Sequence, residues 1–431
     1  MNLADWLARL ETFSPAEIVL GLERVHTVWE RLALAPPATV LTIAGTNGKG
    51  SSVAMTAALL TEGGMLVGAY SSPHVIEFNE RIAVAGQPAT DEEIVAAFER
   101  IETVRGATPL TYFEYGTLAA MLVFATRGVD VAVLEVGMGG RLDAVNAFEP
   151  AAGLITNIAL DHCAWLGNDV ETIAVEKAGI MRRGKPIVFG AASAPLAIGR
   201  MATAIGAELV QAGRDFSWQS TGANWSWQGR AHHLTDLALP ALPGATQVSN
   251  AAGVLAMLEA AGYTGILQKE LIDRALSGLA LSGRMQLIVS DRHWLLDVAH
   301  NPAAAQVLAS TLAGDDFDGA TIAILAMLDD KDVAACVAAL APCVDRWIAV
   351  TADSKRAIPA AELARQVANV VNKACLETDT IEQAMTAARA FTSSTDRILV
   401  TGSFYVVGPA LKAIGYNRRA SKQTSPTWKE H

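Results

Sequence analysis

Hydrophobic and polar positions change period repeatedly along the chain. An apolar, β-branched run at 40–44 stops at a glycine-rich turn, and a helical pattern follows over 53–60. Further short apolar runs at 65–70, 129–136, 151–158 and 187–189 predict strands, and 91–104, 112–126 and 169–180 predict helices between them. Such alternation implies a parallel sheet with helices on its faces. The first 34 residues read as two short helices broken at Ser14-Pro15, with Leu3, Leu7 and Leu10 as a packing face. At 216–230, Trp218, Trp225 and Trp227 stand between polar residues and predict a small β-hairpin whose rings pack on one face. Helices follow at 247–261, capped by 247–250, and at 268–279.

After Ser282-Gly283 the alternation restarts. Strands are predicted at 294–299, 321–327, 346–351 and 397–401, with helices near 303–312, 331–340, 359–371 and 381–391. The fold class is therefore α/β: an N-terminal P-loop-type ATPase domain with a mostly parallel sheet, plus a smaller C-terminal Rossmann-like domain. The expected boundaries are 1–283 and 284–416, and 417–431 reads as a loose tail without apolar periodicity.

Composition narrows this picture. A chain of 431 residues is too long for one compact core. Its 33 Lys and Arg against 44 Asp and Glu give a net charge of −11, which argues against a general nucleic-acid surface but not against small anionic substrates. The first nine residues read as an amphipathic helix rather than a leader, and no apolar run suits a bilayer, so a cytoplasmic location is expected. Cys163, Cys336, Cys343 and Cys375 lack paired spacing and read as reduced, mostly buried residues rather than a zinc site.

The candidate chemistry gathers at predicted strand ends. The turn Gly45-Thr46-Asn47-Gly48-Lys49-Gly50-Ser51 has three glycines in six residues, one lysine, a hydroxyl and a following helix, which is the layout of a phosphate cradle. Only Thr46 and Asn47 separate the first glycine from Gly48-Lys49, where the common P-loop has four residues. Glu135 ends an otherwise apolar strand, so a carboxylate there is placed to hold Mg²⁺ directly or through water. Gly137-x-Gly139 lacks the third glycine of a dinucleotide fingerprint. Asp161-His162 closes the 151–158 run in the same layer as Glu135. Lys177, taken alone, reads as a surface lysine of a helix.

The heptapeptide resembles the nucleotide loop of the folylpolyglutamate synthase/dihydrofolate synthase family, relatives of the muramyl peptide ligases. Gly50 favours the folate branch, since the muramyl enzymes usually have threonine there. Matching blocks recur at 71–74, 78–82, 135–143, 161–162, 176–180, 249–250, 283–284, 297–302 and 401–405, and the N-terminal 7–25 segment resembles the pterin-binding segment of bifunctional members. The resemblance implies an ATP-dependent ligase joining L-glutamate to dihydropteroate and to reduced folates through an acyl phosphate, with Mg²⁺, expected as two ions. It also implies small-molecule partners only, with no nucleic acid or membrane, and a monomer.

Carried over residue by residue, the resemblance assigns Thr46, Asn47, Gly48, Lys49, Gly50 and Ser51, with Asn250, Arg284 and Asp297, to ATP. The metal falls to Ser72, Glu135 and His162. Lys49, His162 and Lys177 form the catalytic set, Lys177 matching a lysine that the family carbamylates. Glu11, Thr12, Phe13, Tyr112, Phe113 and Arg141 match the pterin side, and Arg81, His300 and Ser403 the incoming glutamate. A guanidinium such as Arg81 can grip a carboxylate with two bonds. Three alternatives stand beside this reading: a folylpolyglutamate synthase alone, a muramyl-type amino acid ligase, and a non-catalytic nucleotide-binding switch.

Overall fold

A computed structural model describes residues 1–13, 19–244, 246–315 and 317–416. The chain folds into two compact units. The first comprises Met1–Ala159, Trp165–Pro240 and Gln247–Leu279, and the second takes Leu160–Ala164, Ala241–Thr246 and the chain from Ala280.

The first unit is built on an eight-stranded sheet. Its spatial order is Gln87–Pro88, Ile82–Val84, Val67–Tyr70, Val131–Glu135, Thr39–Ala44, Ala152–Ile155, Pro186–Phe189 and Glu208–Gln211. All pairings are parallel except those of the two short edge strands. Every residue of Val131–Glu135 is buried, which is why that strand reads as a nearly continuous apolar run: helices cover both faces. The parallel arrangement leaves the carboxyl ends of Val67–Tyr70, Val131–Glu135 and Thr39–Ala44 side by side, and loops after such ends are where α/β sheets take ligands.

The predicted hairpin is a three-stranded antiparallel sheet, because His233–Ala238 adds to Asn224–Gln228 opposite Ser217–Ser220. Trp225 and Trp227, two residues apart on one face, are fully buried. Their indole N–H groups donate to Ala238 O at 3.0 Å and Ala252 O at 3.2 Å, so both rings are core rather than a stacking surface.

The second unit holds a six-stranded sheet ordered Gln286–Val289, His293–Leu296, Arg397–Thr401, Thr321–Leu325, Arg346–Val350 and Cys375–Thr378. Only the first pairing is antiparallel. The helices Pro302–Ala313, Val333–Leu340 and Ala360–Val371 bury Leu308, Leu312, Val337, Leu363 and Val367 against it.

Several local expectations need correction. The helix after the glycine turn begins at Lys49, not near 53, because Gly48 adopts φ +83° and starts it. The helix at Thr246–Ala260 contains Gln247–Asn250 rather than being capped by them. The edge strands Gln286–Val289 and Cys375–Thr378, only partly buried, are each four residues long and too short to show a period. All four cysteines are free, but only Cys336 is buried. The Ser14-Pro15 break, the Phe13 side chain and the 417–431 tail lie outside the described residues. Among the described residues no helix is long and apolar enough to cross a membrane.

Candidate active site

The glycine turn is fixed by hydrogen bonds to the segment that follows the neighbouring strand. Thr46 N–H donates to Asn157 O at 2.9 Å and Asn47 N–H to Asn157 Oδ1 at 3.1 Å. Asn47 O in turn accepts from Thr156 Oγ1 at 2.6 Å and Asn157 Nδ2 at 2.9 Å. A Cβ on Gly45, at φ +148°, would fall 1.8 Å from Thr156 Oγ1, so only glycine fits. Two of the N–H groups expected to face phosphate are thus engaged by Asn157. The first hydrogen bond of the helix runs from Ser52 N–H to Gly48 O at 2.9 Å, which leaves the N–H groups of Lys49, Gly50 and Ser51 as first-turn donors at the positive end of the helix dipole.

Two lysines converge on this turn. Lys49 Nζ folds back to Gly45 O at 3.1 Å and Thr46 O at 3.2 Å. Lys177 Nζ reaches the same Gly45 O at 2.9 Å and is buried, correcting its reading as a surface lysine. It sits in the last turn of Val170–Ala178, whose end packs on the 139–141 loop. That contact is intimate: a Cβ on Gly179 would lie 2.4 Å from Arg141 Cα. Asn250 stands on the other side of the turn, its Oδ1 2.5 Å from where a Gly48 Cβ would be.

Ser72 and Glu135, from adjacent strand ends, are neighbours. Ser72 N–H donates to Glu135 Oε2 at 3.2 Å, and Glu135 is buried. A hydroxyl and a buried carboxylate are hard oxygen donors of the kind Mg²⁺ takes. Among the described residues no three His, Cys, Asp or Glu side chains gather as a metal cage by themselves. His162 belongs to the second unit, where its backbone is left-handed at φ +51°.

On the expected pterin side, Tyr112 and Phe113 open the helix Tyr112–Thr126, which Thr111 and Glu114 cap reciprocally. Phe113 lies against Gly137 and 6.0 Å from the Tyr70 ring. Arg24 pairs with buried Glu114 at 2.7 Å and donates to Val19 O at 2.6 Å, while Gly21 N–H donates to Leu142 O at 3.3 Å. These bonds hold the 19–24 segment to the same region. Arg141 is half-exposed and pairs with Glu176 at 2.9 Å. Glu11 and Thr12 are exposed at the end of helix Leu3–Phe13.

Arg81 is buried with its guanidinium over the rings of Phe78 and Tyr112, at 5.3 and 5.4 Å, and its Nε–H donates to His74 Nδ1 at 2.9 Å. In the second unit, Arg284 lies over the Phe404 ring at 5.2 Å, and His300 is 6.0 Å from that ring. Asp297 accepts from Met285 N–H at 2.9 Å and Ala299 N–H at 2.8 Å; burial raises its carboxyl pKa, against the pull of Arg284. Ser403 Oγ caps the helix Phe404–Ala413, accepting from Tyr405 N–H at 3.1 Å.

Three positions were given no role from the sequence. Asn157 clamps the turn. Asp143 is buried, accepts from Met138 and Val145 N–H at 2.8 and 3.1 Å, and has its pKa pushed up to about 6 chiefly by desolvation. Lys331 pairs with Asp161 at 2.6 Å. The acid at a strand-following loop was visible for Asp143; for Lys331 no local pattern could have signalled a partner 170 residues away.

Known proteins resemble this chain along nearly its whole length. Residues 43–258 match the Mur ligase middle domain and 283–404 the Mur ligase glutamate ligase domain. The dihydrofolate synthase/folylpolyglutamate synthase of Escherichia coli strain K12 is 38% identical over 97% of this chain and 97% of its own. The structure of E. coli FolC in complex with DHPP and ADP superposes with a TM-score of 0.90 at 38% identity, covering 97% of this chain and 99% of that one. A bifunctional folylpolyglutamate synthase/dihydrofolate synthase with Mn, AMPPNP and L-glutamate bound gives a TM-score of 0.89 at 38% identity, covering 96% and 98%. The chain therefore belongs to the dihydrofolate synthase/folylpolyglutamate synthase family of Mur-type ligases.

Proposed function

We propose that this chain is an ATP-dependent ligase that adds L-glutamate to dihydropteroate, giving dihydrofolate, and to reduced folates, giving folylpolyglutamates. The observation that carries the reading is the clamped turn at 45–51, with Lys49 and buried Lys177 both on Gly45 O, in a chain matched along nearly all its length by relatives of that name. The hydrogen-bonded 19–24 segment supports the dihydropteroate activity.

An amine cannot displace oxide from a carboxylate. Attack of a substrate carboxylate oxygen on the γ-phosphorus of ATP forms an acyl phosphate and expels ADP. The glutamate nitrogen then adds to the acyl carbon, inorganic phosphate leaves with the C–O electron pair, and the nitrogen's protons pass to solvent. Lys49 and the first-turn N–H groups hold the β- and γ-phosphates, with Asn250, Arg284 and Asp297 on the rest of the nucleotide. Ser72, Glu135 and His162 would hold Mg²⁺, expected as two ions, whose charge would offset that of the transferring phosphoryl group. Lys177, if carbamylated, exchanges a cation for an anion beside the turn. Arg81, His300 and Ser403 take glutamate. Tyr112, Phe113 and Arg141, with Glu11, Thr12 and Phe13, take the pterin. In this reading 1–283 is the ATP- and pterin-binding domain, which also lends Arg81 to glutamate, 284–416 is the glutamate-ligase domain, which also lends Arg284 and Asp297 to the nucleotide, and the chain acts as a cytoplasmic monomer.

The test is the product mass after incubation with ATP, Mg²⁺, glutamate and either dihydropteroate or tetrahydrofolate. Both substrates should gain one glutamyl residue with one ADP released per addition. Extension of tetrahydrofolate alone would reduce the protein to a folylpolyglutamate synthase, and glutamate-independent ATP hydrolysis would overturn the ligase reading.

A further inference from the structure

The segment Leu160–Ala164 belongs with the second unit although the chain on either side of it belongs to the first. Asp161 is bound to that unit through both of its carboxylate oxygens. Asp161 Oδ1 accepts from Lys331 Nζ at 2.6 Å and from the N–H of its own neighbour His162 at 2.9 Å. Its Oδ2 accepts from Asn301 Nδ2 at 3.0 Å, with His300 Nε2 at 3.6 Å. Both members of the ion pair are buried, Asp161 at 8% and Lys331 at 5% side-chain exposure. Lys331 is also 3.3 Å from Asp330, which Arg356 approaches at 3.5 Å and His162 Nδ1 at 3.9 Å.

His162 occupies the left-handed region at φ +51°, a conformation a non-glycine residue holds only when its surroundings impose it. The bond from its N–H to Asp161 Oδ1 is one such constraint, and the same oxygen is tied to Lys331. The lysine, the carboxylate and the histidine backbone therefore form one rigid chain of contacts. A surface ion pair would be worth little here, but a buried one leaves an uncompensated charge when either partner is removed.

We propose that Lys331, acting through Asp161, is a positioning residue that fixes His162 for metal binding. The pair sets the histidine's backbone and so aims its ring, in the way that outer partners of metal-ligating histidines set ligand orientation. This rests on the assignment of His162 as a metal ligand made above. It predicts that Lys331 governs metal affinity without itself touching the metal.

The experiment compares wild type, Lys331→Met and His162→Ala in two measurements. One is Mn²⁺ affinity in the presence of AMPPNP, by calorimetry; the other is hydrogen exchange at the His162 amide. Lys331→Met should lose protection at that amide and bind Mn²⁺ about 10–100-fold more weakly. Should Lys331→Met fail to fold, Lys331→Gln, which keeps a donor for Asp161 without the charge, should show the same two changes at smaller amplitude. Unchanged Mn²⁺ affinity in the Lys331 variant, with weakened affinity in His162→Ala, overturns the positioning role alone. Unchanged affinity in His162→Ala overturns the ligand assignment and the proposal with it. Weakened Mn²⁺ binding with the His162 amide still protected also overturns it, because Lys331 would then act on the metal site directly.

Discussion

Asp143 in the first unit and Asp161 in the second are both buried carboxylates at strand-following loops, yet their protonation is pushed in opposite directions. Burial raises Asp143 to about 6: its direct partners are backbone N–H groups, and the charge of Lys49 offsets only part of the desolvation. Burial acts on Asp161 in the same sense, but the close approach of His300 and the charges of His162 and Lys331 overcome it and hold the carboxyl well below its usual range. The glycine turn at 45–51 shows the same contrast. It is held by neutral bonds to Thr156 and Asn157, and Lys49 donates to carbonyl oxygens. Lys49 in the first unit has neutral carbonyl partners, whereas Lys331 in the second is paired with a buried carboxylate.

Substitutions can break this contrast. Asp161→Ala strands a buried lysine and should cost about 3–5 kcal/mol of folding stability in urea melts; a loss below about 1 kcal/mol would mean the pair is no more than a surface bridge. Lys49→Ala should lower glutamate-dependent ADP release about 10²–10³-fold with little change in melting temperature. Equal loss of stability and activity would show that this lysine, too, is structural.

The two carboxylates also separate in pH. Because the folded-state pKa of Asp143 is raised from 3.8 to about 6, its contribution to stability is fully present below about pH 3.8 and is lost as pH rises through 6. Asp161, with a lowered folded-state pKa, contributes above 3.8 and loses that contribution as pH falls. Asp143→Asn should therefore gain on wild type between pH 4 and 7, by up to about 3 kcal/mol, in melts taken across that range. No pH-dependent difference would remove the desolvation account. The smallest effect is expected from Ser403→Ala, about 1 kcal/mol for the lost helix cap. A large rise in KM for glutamate beyond that stability change would add a ligand contact to the cap.

Much of the fold was legible because local periods survive in it. Tyr112–Thr126 was predicted to the residue, since a long apolar run between Thr111, which caps it, and Arg127 marks its own ends. The turn at 45–51 was legible for the same reason: glycines, lysine and hydroxyl are a local pattern. Short, half-exposed edge strands such as Gln286–Val289 were not, because a few partly buried residues leave no period to read.

The sequence by itself determined the alternation of strands and helices, the glycine turn at 45–51 and the acid that ends Val131–Glu135, all features set within about ten residues of chain. Only the tertiary structure decided that Lys177 is buried on Gly45, that Asn157 takes two of the turn's N–H groups, and that Lys331 answers Asp161. Those partners lie 132, 110 and 170 residues apart. The physical reason is that desolvation and charge pairing depend on what packs around a group, and no local period encodes that.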